Sequence, residues 1–365
     1  MAEALGRRGM RVTVLEKEWQ AGGLARRVAF MGCRFDLAPL RATGATGGGR
    51  ILYKGRLFSQ PVRIAEALLN LGPKEAALCL WSLCQTRWRA QRSGAVVDAR
   101  LARLGERLFQ IFVSNYDRKL GASNRSWGRA GQGSAPRSAG TGCDVWLGHE
   151  ALALRHAGGR VLAAVTGEGA GRSVDVMGSA FISTIPVPDL VARLSPRAPD
   201  EILLAAEALS YRALISVNLV LDRAVIIPDP WIEVHDPAVH AARITNFKNV
   251  SPDMVSDSGL SGLGIEYFCS AGDPIWRLSD AEMLDLARSE LVAMDLCRPD
   301  EVKAGFVFRN DRALPLGVDG DRERRVLIGS WLSKVARNLF CVGSDAVPLP
   351  REGRYTGRRS GVAQR

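Results

Sequence analysis

Apolar residues follow two different periods along this chain, and their alternation predicts a mixed α/β fold. Short apolar or β-branched runs bounded by turn residues are typical of strands. Such runs occupy residues 11–15, 51–58, 151–156, 160–165, 179–184, 214–221, 231–234, 263–268 and 302–308. Apolar residues that recur every three or four positions are typical of helices. This second pattern occupies residues 61–71, 73–92, 98–115, 187–194, 199–208, 280–294 and 322–337.

The N-terminal pattern predicts part of a dinucleotide-binding βαβ unit. Residues 2–8 predict the last turns of a helix, and Gly9 is placed to end it in the left-handed conformation. Residues 11–15 predict a buried strand that ends at an acid, Glu16. An acid at this position of a dinucleotide-binding unit accepts hydrogen bonds from the ribose hydroxyls. Glu16 is therefore a candidate cofactor-binding residue.

The glycine-rich turn of such a unit lies about 20 residues before the acid. Only fifteen residues precede Glu16 here. The first strand and the G-x-G-x-x-G turn do not fit into that length, so we expect a truncated chain or a misplaced start. A second glycine feature follows the acid. Gly22 and Gly23 allow the backbone to pass close to a ligand, and Arg26 is placed to face a pyrophosphate.

The stretch RVTVLEKEWQAGGLARRVAFMGCRFDL carries a family resemblance. It resembles the segment after the first glycine turn in FAD-dependent oxidoreductases of the amine oxidase superfamily, which includes protoporphyrinogen oxidase, phytoene desaturase and UDP-galactopyranose mutase. The shared features are an acid, a Gly-Gly pair, an arginine and G-x-x-F-D, in that order. The resemblance implies FAD as the cofactor, held by Glu16, Gly22, Gly23 and Arg26 in a Rossmann-like domain.

Several separate segments later in the chain also resemble this family. The stretch LFQIFVSNYDRKLG resembles a helix before the family's substrate region, and FISTIP resembles the strand and turn that close its FAD domain. The stretch NLFCVG resembles the final FAD-contacting strand, which adds Gly343 to the implied cofactor residues. Two departures stand out. Arg41 lacks the histidine that precedes it in the family, and the residues after Gly343 do not match, although Asp345 is placed to imitate a flavin phosphate contact.

The resemblance implies a discontinuous domain organisation. The fold class expected is α/β, with a Rossmann-like FAD-binding domain that is truncated at its N-terminus and carries an inserted helical and antiparallel-sheet substrate domain. Residues 1–60, 145–195 and 335–365 would form the FAD-binding domain. Residues 61–144 would form the helical insertion, and residues 196–334 the substrate-binding sheet.

Four further residues are candidates for substrate binding. Tyr116 and Lys119 are three apart on one predicted helix face, which would line a pocket or form an ordinary amphipathic helix end. Arg243 and Tyr267 lie on predicted strands of the substrate sheet, where an arginine is suited to a carboxylate or a diphosphate. The alternative for Arg243 is a charge on an edge strand. No residue pattern identifies a catalytic base.

The charge composition of the chain limits the classes of binding partner that we expect. The 365 residues include 49 basic and 38 acidic side chains, a net charge of +11, and 42 of the basic residues are arginine. This excess indicates either an anionic small-molecule substrate or a coding bias. We expect no nucleic-acid partner, because no basic run interleaved with aromatics occurs. The oligomeric state stays open.

Cysteine and histidine usage indicate a reducing compartment and no metal site. The seven cysteines form no C-x-x-C pair, and the four histidines show no metal-ligand spacing. We therefore expect a cytoplasmic protein. No apolar run is long enough to span a membrane. The most apolar one, residues 75–84, predicts a buried or amphipathic helix.

Three functions are compatible with these observations. The leading hypothesis is an FAD-dependent oxidoreductase of the amine oxidase or protoporphyrinogen oxidase type, with an unknown substrate and no activity if the cofactor cradle is incomplete. The second is a flavin-dependent isomerase resembling UDP-galactopyranose mutase that acts on a nucleotide-sugar. The third is a non-catalytic remnant or a basic binding protein.

Overall fold

The computed structural model describes residues 1–38, 49–93, 99–121, 143–168, 173–343 and 345–347. Packing divides the chain into two units. The first unit comprises Met1–Trp19, Ser138–Ser210 and Gly317–Arg365, and the second unit comprises Gln20–Arg137 and Tyr211–Leu316. Arg41, which the sequence analysis singled out, lies outside the described residues.

Ten α-helices occur in the described ranges: α1 (Ala2–Gly6), α2 (Ile64–Leu71), α3 (Pro73–Ser93), α4 (Ala99–Phe109), α5 (Asn115–Leu120), α6 (Val187–Ala192), α7 (Asp200–Glu207), α8 (Phe247–Val250), α9 (Asp280–Ala293) and α10 (Asp321–Val335). Short 3₁₀ turns occur at Gly23–Ala25, Pro252–Met254, Pro274–Arg277 and Pro299–Glu301, and a π-helical turn occurs at Gln110–Ser114.

Seventeen strands occur in the same ranges: β1 (Val12–Glu16), β2 (Arg27–Phe30), β3 (Cys33–Asp36), β4 (Arg50–Tyr53), β5 (Arg56–Phe58), β6 (Cys143–Leu147), β7 (His149–Ala157), β8 (Arg160–Glu168), β9 (Ser173–Met177), β10 (Phe181–Ser183), β11 (Leu194–Ser195), β12 (Tyr211–Leu221), β13 (Trp231–Val234), β14 (Arg243–Asn246), β15 (Ser261–Cys269), β16 (Val302–Pro315) and β17 (Leu339–Cys341).

The first unit contains the predicted helix and strand of the N-terminal segment. Helix α1 ends before Gly9, which has a φ of +79° as expected for a left-handed terminator. Strand β1 pairs in parallel with β6, in the register Val12↔Cys143 to Glu16↔Leu147. The prediction of a buried strand is wrong, because β1 is at most half-buried. Within the described residues, β6 is its only ladder partner.

Two more sheets complete the first unit. One has the strand order β11-β7-β8-β9, and the predicted hairpin between β7 and β8 turns at Gly158 and Gly159, with φ of +58° and +76°. In the other, β10 pairs in parallel with β17. Helix α7 packs against both α6 and α10.

The second unit is built on a seven-stranded sheet of order β16-β12-β15-β14-β13-β4-β5. Its pairs are antiparallel except that β13 runs parallel to β4, a strand from outside residues 196–334. One face is covered by α9. Met283, Ala287 and Leu291 of that helix share a buried core with apolar side chains of β12 and β15.

Residues 51–58, predicted as one strand, form the hairpin β4–β5 instead. The chain turns at Lys54 and Gly55, whose φ angles are +51° and +71°. Positive φ at both central residues matches the twist of a two-residue hairpin. Lys54 lacks the side chain that usually signals such a turn, so the single apolar run concealed it.

Helices α2 to α4 and the π-helical turn form a smaller core against this hairpin. Phe58 and Phe112 are in edge contact, with ring centroids 4.9 Å apart. The helix predicted over residues 98–115 is interrupted. Gly105 has a φ of +72°, and a Cβ there would lie 2.7 Å from Leu83 Cα, so only glycine allows α3 and α4 to approach this closely.

The packing units do not coincide with the domains implied by the resemblance. Residues 20–60 pack with the second unit, and residues 317–334 pack with the first. The division into FAD-binding, helical and substrate domains stays a prediction. No helix among the described residues has the length and apolar character needed to cross a bilayer.

Candidate functional site

Strand alternation gives the seven-stranded sheet two different faces. Successive side chains of a strand point to opposite sides. In β15, Ile265 and Tyr267 belong to the apolar core shared with α9, so Glu266 between them points to the other face. On that other face Gly264 lies beside Phe247 and Asn218.

A row of polar side chains crosses four strands on this second face. The register pairs Ser216 of β12 with Glu266 of β15, Glu266 with Arg243 of β14, and Arg243 with Glu233 of β13. Directly opposed residues bring their Cβ atoms within about 5 Å of each other. We call Ser216, Glu266, Arg243 and Glu233 the polar row.

A buried ion pair forms the centre of the polar row. Arg243 Nε donates a short hydrogen bond to Glu266 Oε2. The side chain of Glu266 is 1% exposed and that of Arg243 14%. Burial alone would lower the pKa of Arg243, but the charge and hydrogen bond of Glu266 raise the pKa overall, so the guanidinium stays charged.

The second carboxylate oxygen of Glu266 takes no part in this ion pair. Glu266 Oε1 is buried and has no hydrogen-bond partner among the described residues. The same is true of Asn218 Oδ1, while Asn218 Nδ2 lies 3.2 Å from Ser216 Oγ. Buried acceptors are normally bonded, so these two atoms need an explanation. A ligand or a water molecule that donates hydrogen bonds to these two oxygens would explain why no protein group does so.

The β13 end of the polar row contains a second hydrogen-bonded group. Gln60 Nε2 donates to Glu233 Oε2 at 2.8 Å, and His235 Nε2 lies 3.3 Å from the same oxygen. Burial would raise the pKa of Glu233, but the bonds from His235 and Gln60 lower it overall. Glu233 is therefore a carboxylate.

Tyr116 covers this end of the row. Its ring stacks on His235 with centroids 4.4 Å apart and an interplanar angle of 9°. Burial, and then the charge of Glu233, raises the pKa of the phenol well above its ordinary value, against the effect of Arg243. The phenol therefore stays protonated and keeps its donor hydrogen. The π-helical turn Gln110–Ser114 directly precedes α5, which carries Tyr116.

Lys119, one turn further along α5, has a different role. Its Nζ donates to the carbonyls of Val234 at 3.0 Å and Ala241 at 2.7 Å. Burial lowers its pKa from 10.5 to about 8. Lys119 therefore links the end of β13 to the residues just before β14 through two hydrogen bonds. The predicted pairing of Tyr116 and Lys119 in one pocket does not fit this geometry.

Tyr267 does not lie on the face of the polar row. It is buried in the α9-side core, on the opposite face from Arg243. Grouping it with Arg243 as a substrate-binding residue is therefore a prediction that the geometry does not support, because neighbouring residues Glu266 and Tyr267 cannot share a face. The sequence analysis also missed Ser216, Glu233 and His235, which only the cross-strand register brings to Arg243.

The Gly22–Gly23 turn places Arg26 beside the other end of the polar row. Gly22 and Gly23 have φ of +127° and +54°, which favour glycine. The Arg26 guanidinium carbon lies 5.7 Å from the centroid of the Phe308 ring. Phe308 is the partner of Ser216 across β12 and β16. The predicted pyrophosphate residues and the predicted substrate sheet thus meet within the second unit.

Glu16 and Gly343 belong to the first unit. Glu16 ends β1, and its Oε1 accepts a hydrogen bond from the Glu18 amide at 3.0 Å. Gly343 follows β17 with a φ of +105°. Asp345 accepts a bond from the Val187 amide at 2.7 Å and pairs with Arg325 at 2.6 Å. Asp345 therefore caps α6 in this structure.

No group of three or more His, Cys, Asp or Glu side chains in the described part of the chain is arranged to hold a metal ion.

Comparisons with known proteins support the fold. Residues 1–49 match the model of the NAD(P)-binding Rossmann-like domain. A comparison with curated protein sequences gives no significant match. The structure of reduced UDP-galactopyranose mutase is similar with a TM-score of 0.66 and 16% identity, over 89% of this chain and 83% of that one.

Two further solved structures are similar. A protein assigned as a protoporphyrinogen oxidase from Exiguobacterium sp. 255-15 has a TM-score of 0.62 and 16% identity, over 94% of this chain and 90% of that one. An oxidoreductase from Methanosarcina mazei has a TM-score of 0.58 and 12% identity, over 94% and 92%. These matches confirm the predicted resemblance and the α/β fold class. At such identities they establish the fold alone.

Proposed function

We propose that this chain is an FAD-dependent oxidoreductase of the amine oxidase or protoporphyrinogen oxidase type, in which the polar row is the substrate surface. The observation that carries the proposal is the buried Glu266 carboxylate, one oxygen of which has no partner among the described residues. An unmade buried hydrogen bond costs about 1–3 kcal/mol. A substrate N–H or O–H group bound at Glu266 Oε1 would recover that cost.

The charges of the polar row favour a neutral or cationic substrate. Glu233 and Glu266 contribute two negative charges and Arg243 one positive charge, and Arg243 is already bonded to Glu266. An anionic substrate would have to compete with a buried carboxylate for that guanidinium. The net charge of the chain suggested an anionic substrate. From the polar row we propose instead a substrate that donates hydrogen bonds.

Each unit contains residues of types that suit one part of an FAD molecule. Glu16 ends a parallel strand, which suits a ribose hydroxyl, and the Gly22–Gly23 turn with Arg26 suits a pyrophosphate. Gly343 would allow close approach of backbone to ligand. However, no G-x-G-x-x-G occurs in the 365 residues. The flavin, when bound, would carry the hydride chemistry, and this chain would supply binding and orientation.

The isomerase is the second candidate, because the mutase has a higher TM-score than the two oxidoreductases described above. It would need Arg243 to hold a diphosphate. Binding of UDP-galactose by the wild type and its loss in Arg243→Ala would favour the isomerase, whereas equal binding by both proteins would remove it.

The main test is flavin binding by the 365-residue protein. We expect weak FAD binding by these 365 residues, measurable by fluorescence titration but lost on desalting, because they contain no G-x-G-x-x-G turn. Glu16→Gln should weaken it about tenfold through loss of a charged acceptor. Glu18→Gln, two residues away, is the matched control and should change little.

Three results would each contradict a different part of this account. Stoichiometric flavin after purification would refute the expectation of weak binding. Unchanged affinity in Glu16→Gln would refute the ribose assignment. If no FAD binding were detected at any concentration, the FAD-dependent functions would be excluded. The remaining hypothesis would then be the non-catalytic remnant or basic binding protein. With flavin bound, bleaching by an amine or another hydrogen-bond-donating reductant would support the oxidoreductase.

A further inference from the structure

Glu290 is a buried acid that the proposed function does not use. It lies on α9, the helix that covers the sheet face opposite the polar row, and is 5% exposed. A buried carboxylate is costly unless its oxygens are bonded. Here Oε1 accepts a hydrogen bond from the His240 amide at 2.5 Å, and Oε2 accepts one from the Ala241 amide at 3.0 Å. Both oxygens of Glu290 therefore bind the main chain.

These two amides belong to the β13–β14 connection, residues 235–242. Ala241 is bonded on both sides of its peptide chain, because its N–H donates to Glu290 of α9 and its carbonyl accepts from Lys119 Nζ of α5. Lys119 also binds the carbonyl of Val234, the last residue of β13. Burial lowers the pKa of Lys119, and the charge of Glu290 opposes this effect. Two side chains of opposite charge thus hold the connection between α5 and α9.

The same connection begins at His235, which contacts the polar row. The Nε2 of His235 lies 3.3 Å from Glu233 Oε2, which is longer than the usual hydrogen-bond range of about 2.7–3.2 Å. Its Nδ1 is buried and has no hydrogen-bond partner in the described part of the chain. The ring also stacks on Tyr116. One long hydrogen bond and one stacked ring restrain an imidazole weakly, so the position of His235 depends on the backbone that carries it.

We propose that Glu290 is a positioning residue for the polar row. By binding two amides of the β13–β14 connection from the α9 side, it holds the His235 ring against Glu233 and Tyr116 on the other side of the sheet. Two amide hydrogens need two acceptor oxygens. A carboxylate supplies both, whereas a carboxamide would turn its –NH₂ group toward one of the amides. Only the effect on ligand binding rests on the proposed function.

The test is the imidazole C–H signal of His235, measured by NMR in the full chain with labelled histidine. The chain contains four histidines, so the signal that disappears in His235→Gln is assigned directly. The stacked ring of Tyr116 should displace this signal from the position of an exposed histidine. Glu290→Gln should abolish the displacement. Glu290→Asp keeps both oxygens on a side chain that is one methylene shorter, so it should reduce the displacement by a smaller amount.

Two variants are matched controls. His240→Gln removes a side chain that is 67% exposed and touches Glu290 Oε1, but it keeps the backbone amide, so the His235 signal should not move. Leu291→Ala truncates the next residue of α9 without removing either amide bond, and it should not move the signal. Thermal unfolding identifies the variants that are folded.

The proposal is overturned if folded Glu290→Gln has the wild-type His235 signal. It is also overturned if His240→Gln or Leu291→Ala moves that signal as far as Glu290→Gln does. If Glu290→Gln does not fold, Glu290→Asp decides, and a wild-type His235 signal in that variant would overturn the proposal.

Titration with n-butylamine, a cation that donates hydrogen bonds, separates this inference from the proposed function. If the polar row binds the amine, the His235 signal should move during the titration, and Glu290→Gln should weaken the affinity about tenfold. Equal affinities in the two proteins would overturn the effect on ligand binding. If the amine does not move the wild-type signal at any concentration, the proposed function of the polar row is contradicted, while a His235 position that depends on Glu290 would still support the positioning role.

Discussion

The two faces of the seven-stranded sheet arise from the same strands but differ in chemistry. Toward α9, β12 and β15 present Val217, Ile265 and other apolar side chains in one buried core. Toward the other side the same two strands present Ser216, Asn218 and Glu266, which are equally buried. Burial is thus common to both faces, and only the need for hydrogen bonds separates them.

That difference suggests a division of labour. An apolar face is stabilised by packing and needs no partner beyond its own chain. A buried polar face costs stability wherever an acceptor is left without a donor. Glu266 Oε1 and Asn218 Oδ1 are such acceptors within the described residues. We therefore expect the α9 face to contribute mainly to stability and, under the proposed function, the polar row to bind the ligand.

Arg243→Met is expected to have the largest effect on this comparison. It leaves the buried Glu266 carboxylate without its counterion, which costs about 3–5 kcal/mol in the free energy of unfolding. Replacing both partners, as Arg243→Met/Glu266→Leu, should recover most of that loss, because no buried charge remains. Denaturant unfolding measures both values.

Arg27→Met is the control for that experiment. Arg27 pairs with Asp36 at 2.8 Å, but its side chain is half exposed. Breaking an exposed pair costs about 0–1 kcal/mol. If Arg243→Met lost no more stability than Arg27→Met, the polar row would not contain a buried ion pair.

Leu291→Ala tests the opposite face. Leu291 is fully buried under the sheet, so its truncation should cost about 2–4 kcal/mol by leaving a cavity. Ligand binding by the polar row should not change. Leu204→Ala, at an exposed leucine of α7, should cost less than about 0.5 kcal/mol. Loss of ligand affinity in folded Leu291→Ala would contradict the division between the faces.

Local patterns predicted most elements of this fold but not the polar row. Apolar periods of two and of three to four place the long helices and strands, because each period is a property of one segment. The polar row depends on the register of β12, β13, β14 and β15, which come from separate parts of the chain. No local period encodes which strands become neighbours.

Some of the missed information was present in the sequence. Glu266 and Tyr267 are adjacent in a strand, so alternation alone excludes them from a common face. Tyr267 continues the apolar series Leu263, Ile265 and therefore belongs to the core. In contrast, the stacking of Tyr116 on His235 depends on where α5 packs, which no pattern in either segment reveals.

The smallest effect is expected at Lys119, which fastens the β13–β14 connection at the border of the two faces. Burial lowers its pKa to about 8, against the opposing charges of Glu290 and Asp236, whereas the unfolded chain titrates near 10.5. Between those values the unfolded state binds more protons, so the free energy of unfolding rises with pH. Lys119 thus costs stability below about pH 8, and the cost is relieved as the pH rises.

We therefore expect the wild type to gain about 1–3 kcal/mol relative to Lys119→Met between pH 7 and pH 10, as measured by denaturant unfolding. The comparison with Lys119→Met removes the contribution of groups that titrate in both proteins. Lys334→Met, at an exposed lysine of α10, is the control and should run parallel to the wild type. Parallel curves for the wild type and Lys119→Met would show that Lys119 is not buried as a cation, and the fastening of β13 to β14 would then need another explanation.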